Sequence, residues 1–210
     1  VENNLMLLDL KNLVNKYNLK IKGVLHIGAH WGEEDFIYDE LSIDNRIYFE
    51  PLLKNFSILQ SKVSKKSKCI RTALGDKVGE VLMNVEEANN GQSSSILDPD
   101  IHLYQYPHIK FNSKELVPIT KLDMISFDRS IMNFINIDVQ GYELEVFKGA
   151  KYTLKNIDYI VTEVNRAEVY KNCVKVDNLD LFLSDYGFKR LETTWDGITW
   201  GDAFYAKTSI

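Results

Sequence analysis

Leu5, Leu7, Leu8, Leu10, Leu13, Val14 and Tyr17 recur at helical spacing, so the pattern predicts an amphipathic helix over 4–17. Asn18 closes it, and Lys22-Gly23-Val24-Leu25-His26-Ile27 reads as a strand. Gly28 and Gly32 bracket a tight turn. Glu33 to Leu41 reads as a helix with an acidic first turn, which suits the positive end of the helix dipole. Arg46-Ile47-Tyr48-Phe49 is a second strand, ending at Glu50-Pro51. Proline is tolerated in a first helical turn, so 51–63 reads as helix. Lys68 to Ala73 reads as a third strand. This alternation of helix and strand predicts a parallel sheet covered by helices.

The middle of the chain breaks the rhythm. Gly79 to Val85 alternates like a partly exposed strand. Asn89 to Ser95 is small and polar, as loops are, and 96–114 continues irregularly with His102, Tyr104, Tyr106, Pro107 and His108. A long aromatic-rich excursion of this kind is often a binding loop, which makes 89–114 a candidate acceptor loop. Regular structure then resumes. Leu122 to Phe127 suggests a short helix, and Phe134 to Asp138 is an apolar strand ending in a carboxylate. Gly141 marks a turn, 143–149 a helix, and Tyr159 to Glu163 a second apolar strand ending in a carboxylate. Leu179 to Tyr186 is helical with Gly187 as its cap. Phe188–Thr193 and Ala203–Lys207 are the last strands, an antiparallel pair if 194–202 is a hairpin loop. No repeat or linker appears, so 1–210 reads as a single domain.

Composition narrows the partners. Of 210 residues, 25 are Lys or Arg and 30 are Asp or Glu, a net charge of −5 without long basic runs, which disfavours nucleic acid. Two cysteines, Cys69 and Cys173, are too few for a disulfide framework or a four-cysteine zinc site, and read as reduced thiols. No stretch approaches the ~20 apolar residues of a membrane span, and the start carries no signal peptide, so a cytoplasmic location is expected. Asn55-Phe56-Ser57 matches a glycosylation triplet by chance on this reading. The chain begins at Val1, as a domain excised from a longer chain would.

The segment His26-Ile27-Gly28-Ala29-His30-Trp31-Gly32 follows the first strand and opens a helix. Gly28 permits the sharp turn and Ala29 a close ligand approach. Glu50 lies 22 positions past Gly28 at the end of the second strand, placed to bind the ribose hydroxyls of an adenosine cofactor. That leaves NAD or S-adenosylmethionine. A short-chain oxidoreductase needs a helical Tyr-x-x-x-Lys, and Tyr106 to Lys110 contains Pro107. Asp138 and Glu163, at the ends of later strands, instead sit where methyl transfer needs carboxylates. An NAD oxidoreductase and a non-catalytic cofactor-binding domain of a larger glycan-building enzyme remain the alternatives.

The runs His26 to Glu34, Phe49-Glu50-Pro51, Ala73-Leu74-Gly75-Asp76 and Ile135-Asn136-Ile137-Asp138-Val139-Gln140-Gly141-Tyr142-Glu143 resemble the FkbM-type methyltransferases. So do Val146 to Ala150 and Trp200 to Tyr205. Many members carry Asp at position 26 and Lys at 136, where this chain has His26 and Asn136. The resemblance implies a class I methyltransferase fold, Rossmann-like α/β, with a seven-stranded, mostly parallel sheet and an antiparallel last strand. It implies S-adenosyl-L-methionine as cofactor, held around His26, Gly28, Ala29, His30, Gly32, Glu50, Pro51, Ala73, Leu74, Gly75 and Asp138. It also implies O-methylation, often of sugar hydroxyls, and fusion in some members to glycosyltransferases.

A sugar hydroxyl in a glycan or glycoconjugate is therefore the expected acceptor. Asp138 is the expected catalytic base, with Glu163 as second choice. Ser93, Ser94, Ser95 and His108 are candidates for acceptor hydrogen bonds, and Tyr142, Tyr170 and Trp195 for stacking on a sugar ring. Asp138, Glu143 and Glu163 supply oxygen ligands of the type a divalent cation takes, but their spacing is not diagnostic and no metal is assigned.

Overall fold

The computed structural model describes residues 7–208. Helix α1 (Leu10–Tyr17) starts where the Asp9 side chain accepts from Asn12 N and stops at Asn18, which takes a left-handed conformation. The first part of the predicted 4–17 helix, residues 4–6, lies outside the described residues. Strand β1 (Gly23–Ile27), helix α2 (Asp35–Glu40), β2 (Asn45–Phe49), α3 (Leu53–Lys62) and β3 (Lys68–Ile70) come next, in the predicted order.

The third strand is shorter than the sequence suggests. It ends at Ile70, and after Arg71-Thr72 the chain crosses into a second sheet as β4 (Ala73–Leu74). That small sheet also contains β5 (Gly79–Val85) and β6 (Ser113–Thr120), in the order β4-β6-β5. The stretch 96–114 is not wholly irregular, since it holds helix α4 (His102–Gln105) and the start of β6. Single turns of 3-10 helix form at Leu122–Met124, Arg129–Ile131 and Thr153–Lys155.

The large sheet is completed by β7 (Phe134–Ile137), β8 (Tyr159–Asn165), β9 (Phe188–Asp196) and β10 (Trp200–Lys207), with α5 (Glu143–Lys148) and α6 (Val176–Ser184) between them. Its order is β3-β2-β1-β7-β8-β10-β9. Strands β1, β2, β3, β7 and β8 run parallel, and β10 is antiparallel to both β8 and β9. The hairpin turn is tighter than expected, because β9 and β10 extend to leave only 197–199 between them.

Strand residues alternate between two cores. Leu25, Ile27, Ile135, Ile137 and Ile160 pack with α5 and α6 residues such as Val146, Phe147, Leu179 and Leu183. Val24, Tyr48, Phe134, Val161 and Phe204 pack on the opposite face with Leu10, Leu13, Tyr38 and Leu59. Burial on both faces explains why the central strands read as continuous apolar runs. Asn55 is also buried and accepts a hydrogen bond from Trp31 Nε1 at 3.1 Å, so the glycosylation-like triplet is sealed by packing.

The sheet order reverses between β1 and β7, and such a reversal opens a crevice at the carboxyl ends of the two strands. Phe204 anchors the far half of the sheet, fully buried and packed 5.3 Å from the Tyr17 ring of α1. Phe204→Ala is expected to lower the unfolding free energy by about 3–5 kcal/mol, read by urea denaturation.

Candidate active site

A cleft lies over that crevice. It is lined by Ile27, Gly28, His30, Glu50, Pro51, Leu52, Thr72, Ala73, Leu74, Met83, Gly91, Gln92, Ser94, Ile96, Asp138, Val139, Gln140 and Tyr142. The turn after β1 and the turn after β7 meet beneath it. Gly28 has φ +76°, and a Cβ there would stand 1.8 Å from the Asp138 carbonyl oxygen, so only glycine closes this contact. Gly28 N and Ala29 N both donate to Phe49 O at 3.0 Å, tying the turn to the end of β2.

Glu50 is buried at that end. Its carboxylate accepts from His30 N at 3.0 Å and Leu52 N at 2.9 Å, and burial raises its pKa to about 7. His30 is held in a left-handed conformation, with Nδ1 2.7 Å from Glu33 and Nε2 3.0 Å from the Asn90 carbonyl. Burial pulls its pKa down, but Glu33, the Asn90 carbonyl and Glu50 outweigh this and raise it. The segment carrying Asn90 and Gly91 is folded back over the cleft by Glu86, whose carboxylate accepts from Asn89 N and Gly91 N.

A chain of polar groups crosses the acceptor side. Gln140, in left-handed conformation, donates from Nε2 to Asp138 Oδ1 and Glu163 Oε2, each at 2.7 Å. Tyr170 Oη lies 2.8 Å from Gln140 Oε1 and 2.7 Å from Ser93 O. Asp138 is open to the cleft, yet the protein around it removes enough water to raise its pKa. Glu163 is raised well above the carboxylate range by burial and by Asp138, Glu143 and Asp202.

The other expected residues divide. Gly28, His30, Glu50, Pro51, Ala73, Leu74, Asp138, Ser94 and Tyr142 line the cleft. Ala29, Gly32, Gly75, Ser93 and Ser95 stand behind the lining: a Cβ on Gly32 would meet Val63, and the Ser95 hydroxyl donates to Gln140 O at 2.8 Å. Tyr170 is fully buried, which leaves no face for stacking on a sugar; it props Gln140 instead. His108 is exposed and away from the cleft lining, and Trp195 carries the Arg166 guanidinium 3.6 Å over its ring.

His26 is also outside the lining. It is buried between Tyr38 Oη at 3.3 Å and Asn136 Nδ2 at 3.4 Å, and burial lowers its pKa to about 4, leaving it neutral. His26 and Asn136 are direct cross-strand partners, so the chain's two departures from the family pattern fall on one contact. A neutral pair there avoids the desolvation that two buried charges would suffer. Gln140 is the main functional residue that sequence reasoning passes over. Its signal is its place between the carboxylate that ends β7 and the Gly141 turn.

These features fit an adenosine-bearing sulfonium cofactor: a glycine turn with no room for a side chain, a buried ribose-type acceptor at Glu50, and apolar walls from Leu52, Leu74 and Met83. Sheet order, the β1–β7 crevice and the antiparallel β10 define the class I methyltransferase fold. Solved structures agree at the level of fold. Streptococcus pneumoniae Sp1610 in complex with S-adenosyl-L-methionine aligns at TM-score 0.53 and 12% identity, covering 95% of this chain and 72% of that one. Synechocystis PCC 6803 magnesium protoporphyrin IX methyltransferase (ChlM), with bound SAM, aligns at TM-score 0.53 and 9% identity, covering 93% and 74%.

The methyltransferase FkbM domain matches residues 26–190, and the chain belongs to that family. S-adenosyl-L-methionine is its cofactor. The 2-O-methyltransferase NoeI of Sinorhizobium fredii (strain NBRC 101917 / NGR234) is 33% identical over 81 residues, 38% of this chain. The match spans 33% of that protein, about a third of its length. No described helix is long and apolar enough to cross a membrane.

The carboxyl groups give the fold a pH signature. Burial raises Glu34 to about 8, and Glu50 and Asp202 to about 7. In the folded chain each keeps a proton that the unfolded chain has already lost, so stability falls as pH rises through these values. His26 and His102, both lowered to about 4 by burial, act in the opposite sense only between there and 6.5. Between pH 6.5 and 8 the carboxyls prevail, and Tm is expected to fall. Scanning calorimetry checks this; a Tm that rises across that window contradicts it.

Proposed function

We propose that the protein is an O-methyltransferase acting on a hydroxyl of a sugar in a glycan or glycoconjugate, with 1–210 as one catalytic domain. One observation carries the reading. The Asp138 carboxyl opens into the cleft and is fixed by Gln140 Nε2, which bridges it to the buried Glu163 at 2.7 Å on each side. A sugar hydroxyl is a weak nucleophile, and a positioned base at the point of reaction is what it requires. The likeness to a 2-O-methyltransferase supports oxygen as the acceptor atom.

When bound, S-adenosyl-L-methionine supplies an electrophilic methyl group on a positively charged sulfur. Glu50 would accept from the ribose hydroxyls, and the Gly28–His30 turn would lie against the cofactor. Asp138 would orient the acceptor hydroxyl toward that methyl group and take up its proton. Gln140, braced by the Tyr170 hydroxyl, would hold Asp138 in place for that role. Ser94 and Tyr142 line the cleft where the acceptor meets the protein. The 89–114 segment, which contributes Gly91, Gln92, Ser94 and Ile96 to the cleft lining, is the proposed source of acceptor selectivity. A glycosyltransferase, in the same chain or the same pathway, is the natural supplier of such an acceptor.

Incubation with cofactor and a panel of oligosaccharides, read by mass spectrometry, tests this. One methyl group is expected on a single hydroxyl. Asp138→Asn is expected to lower turnover by about 10²–10⁴-fold with S-adenosylhomocysteine affinity nearly unchanged. Full turnover in that variant removes the base assignment, and methylation at nitrogen or carbon alone overturns the acceptor class.

A further inference from the structure

Asp138, Glu143 and Glu163 each place a carboxylate oxygen within 4.8 Å of the others, at the inner end of the cleft. Among the described residues no ion pair reaches any of the three. Acidic clusters of this kind are common, and proximity alone does not make a site.

Three further observations point to a missing positive centre. Glu143 is fully buried; its Oε1 accepts from Val139 N at 3.2 Å and Gly141 N at 3.1 Å, while its Oε2 has no partner among the described residues. Asn165, also fully buried, abuts the cluster through Nδ2, 3.3 Å from Glu163 Oε1, and its Oδ1 is likewise without a partner. A buried oxygen left unpaired costs about 1–3 kcal/mol, so two beside one carboxyl cluster require a reason.

The third observation is the Tyr170 hydroxyl, which has one proton and faces two acceptors, Ser93 O and Gln140 Oε1. Turning the Gln140 amide over resolves this, because Tyr170 then donates to Ser93 and accepts from Gln140. The Gln140 oxygen would then face Asp138 and Glu163, an arrangement made favourable by a positive centre, a proton or a cation, among the three. As it stands, Gln140 Nε2 bridges those two carboxyls at 2.7 Å on each side.

We propose that Asp138, Glu143 and Glu163 form a binding site for one hard divalent cation, with the Gln140 and Asn165 amides, each turned to present its oxygen, as neutral donors. All five are oxygen donors, the set that calcium, magnesium and manganese select. Calcium accepts such a set at oxygen distances of about 2.3–2.6 Å in flexible geometry, so it serves beside manganese as a probe. Asp138 opens the site to the cleft, so the cation lies within reach of an acceptor hydroxyl. There it would hold the oxygen and ease loss of its proton to Asp138. This role rests on the O-methyl transfer proposed above; the binding itself does not.

The test is titration of the protein, without cofactor or acceptor, with Mn²⁺ by electron paramagnetic resonance and with Ca²⁺ by calorimetry. One saturable site per chain is expected. Glu143→Gln and Glu163→Gln are each expected to weaken it at least about tenfold. Where either variant fails to fold, Asp138→Asn, at an exposed position, carries the same expectation. No saturable binding, or binding unchanged in the folded variants, overturns the site. A parallel titration with S-adenosylhomocysteine separates the two readings. If it binds while the cations do not, only the cation site is lost; if it also fails, the methyltransferase reading falls with it.

Discussion

The approach of Gly28 to the carbonyl of Asp138 is the constraint on which the functional end of the molecule depends. Two loops leave neighbouring parallel strands at the point where the sheet order reverses, and they touch with no space for a side chain between them. That contact fixes the distance between the glycine turn proposed to hold the cofactor and the carboxylate proposed to face the acceptor. Alignment is most of what a protein contributes to an in-line methyl transfer, because positioning alone can supply several kcal/mol of the barrier. The hydrogen bonds from Gly28 and Ala29 to the end of β2 extend the same rigidity to Glu50. Three strand ends are thereby locked into one frame.

The second organising feature is an excess of buried carboxyl groups. Glu34, Glu50, Glu143, Glu163 and Asp202 are all at most 8% exposed, and burial raises the pKa of each. A structure optimised for stability alone would not gather them without cationic partners. Such local cost is usual where charge must be recognised, and a sulfonium cofactor is positively charged. The His26–Asn136 pair, outside the cleft lining, shows the opposite solution, with burial lowering the histidine and keeping it neutral.

Much of the large sheet is legible in the sequence because its central strands are buried on both faces. Val24 to Ile27, Phe134 to Ile137 and Tyr159 to Glu163 have no polar alternation to confuse them with exposed strands. Of the small sheet only β5, Gly79–Val85, is legible. Ser113–Thr120 mixes charged and apolar residues and carries Pro118 in its middle, a pattern that argues against a strand with neighbours on both sides. The Lys68–Ala73 run looks continuous because hydrophobicity does not record a change of sheet at Arg71-Thr72. Within the site, glycines and strand-end acids announce themselves by position, whereas Gln140 and Tyr170 act through side-chain contacts between segments 30 residues apart. Tyr170 reads as a stacking residue since sequence shows an aromatic ring but not whether either face is free.

The central claim is that this cleft binds S-adenosyl-L-methionine and orients it toward an oxygen acceptor held at Asp138. Calorimetric titration of the intact protein with S-adenosylhomocysteine, alongside NADH, tests it most directly. The account predicts one S-adenosylhomocysteine bound per chain and no heat of binding with NADH. Saturable NADH binding together with no response to S-adenosylhomocysteine would contradict it.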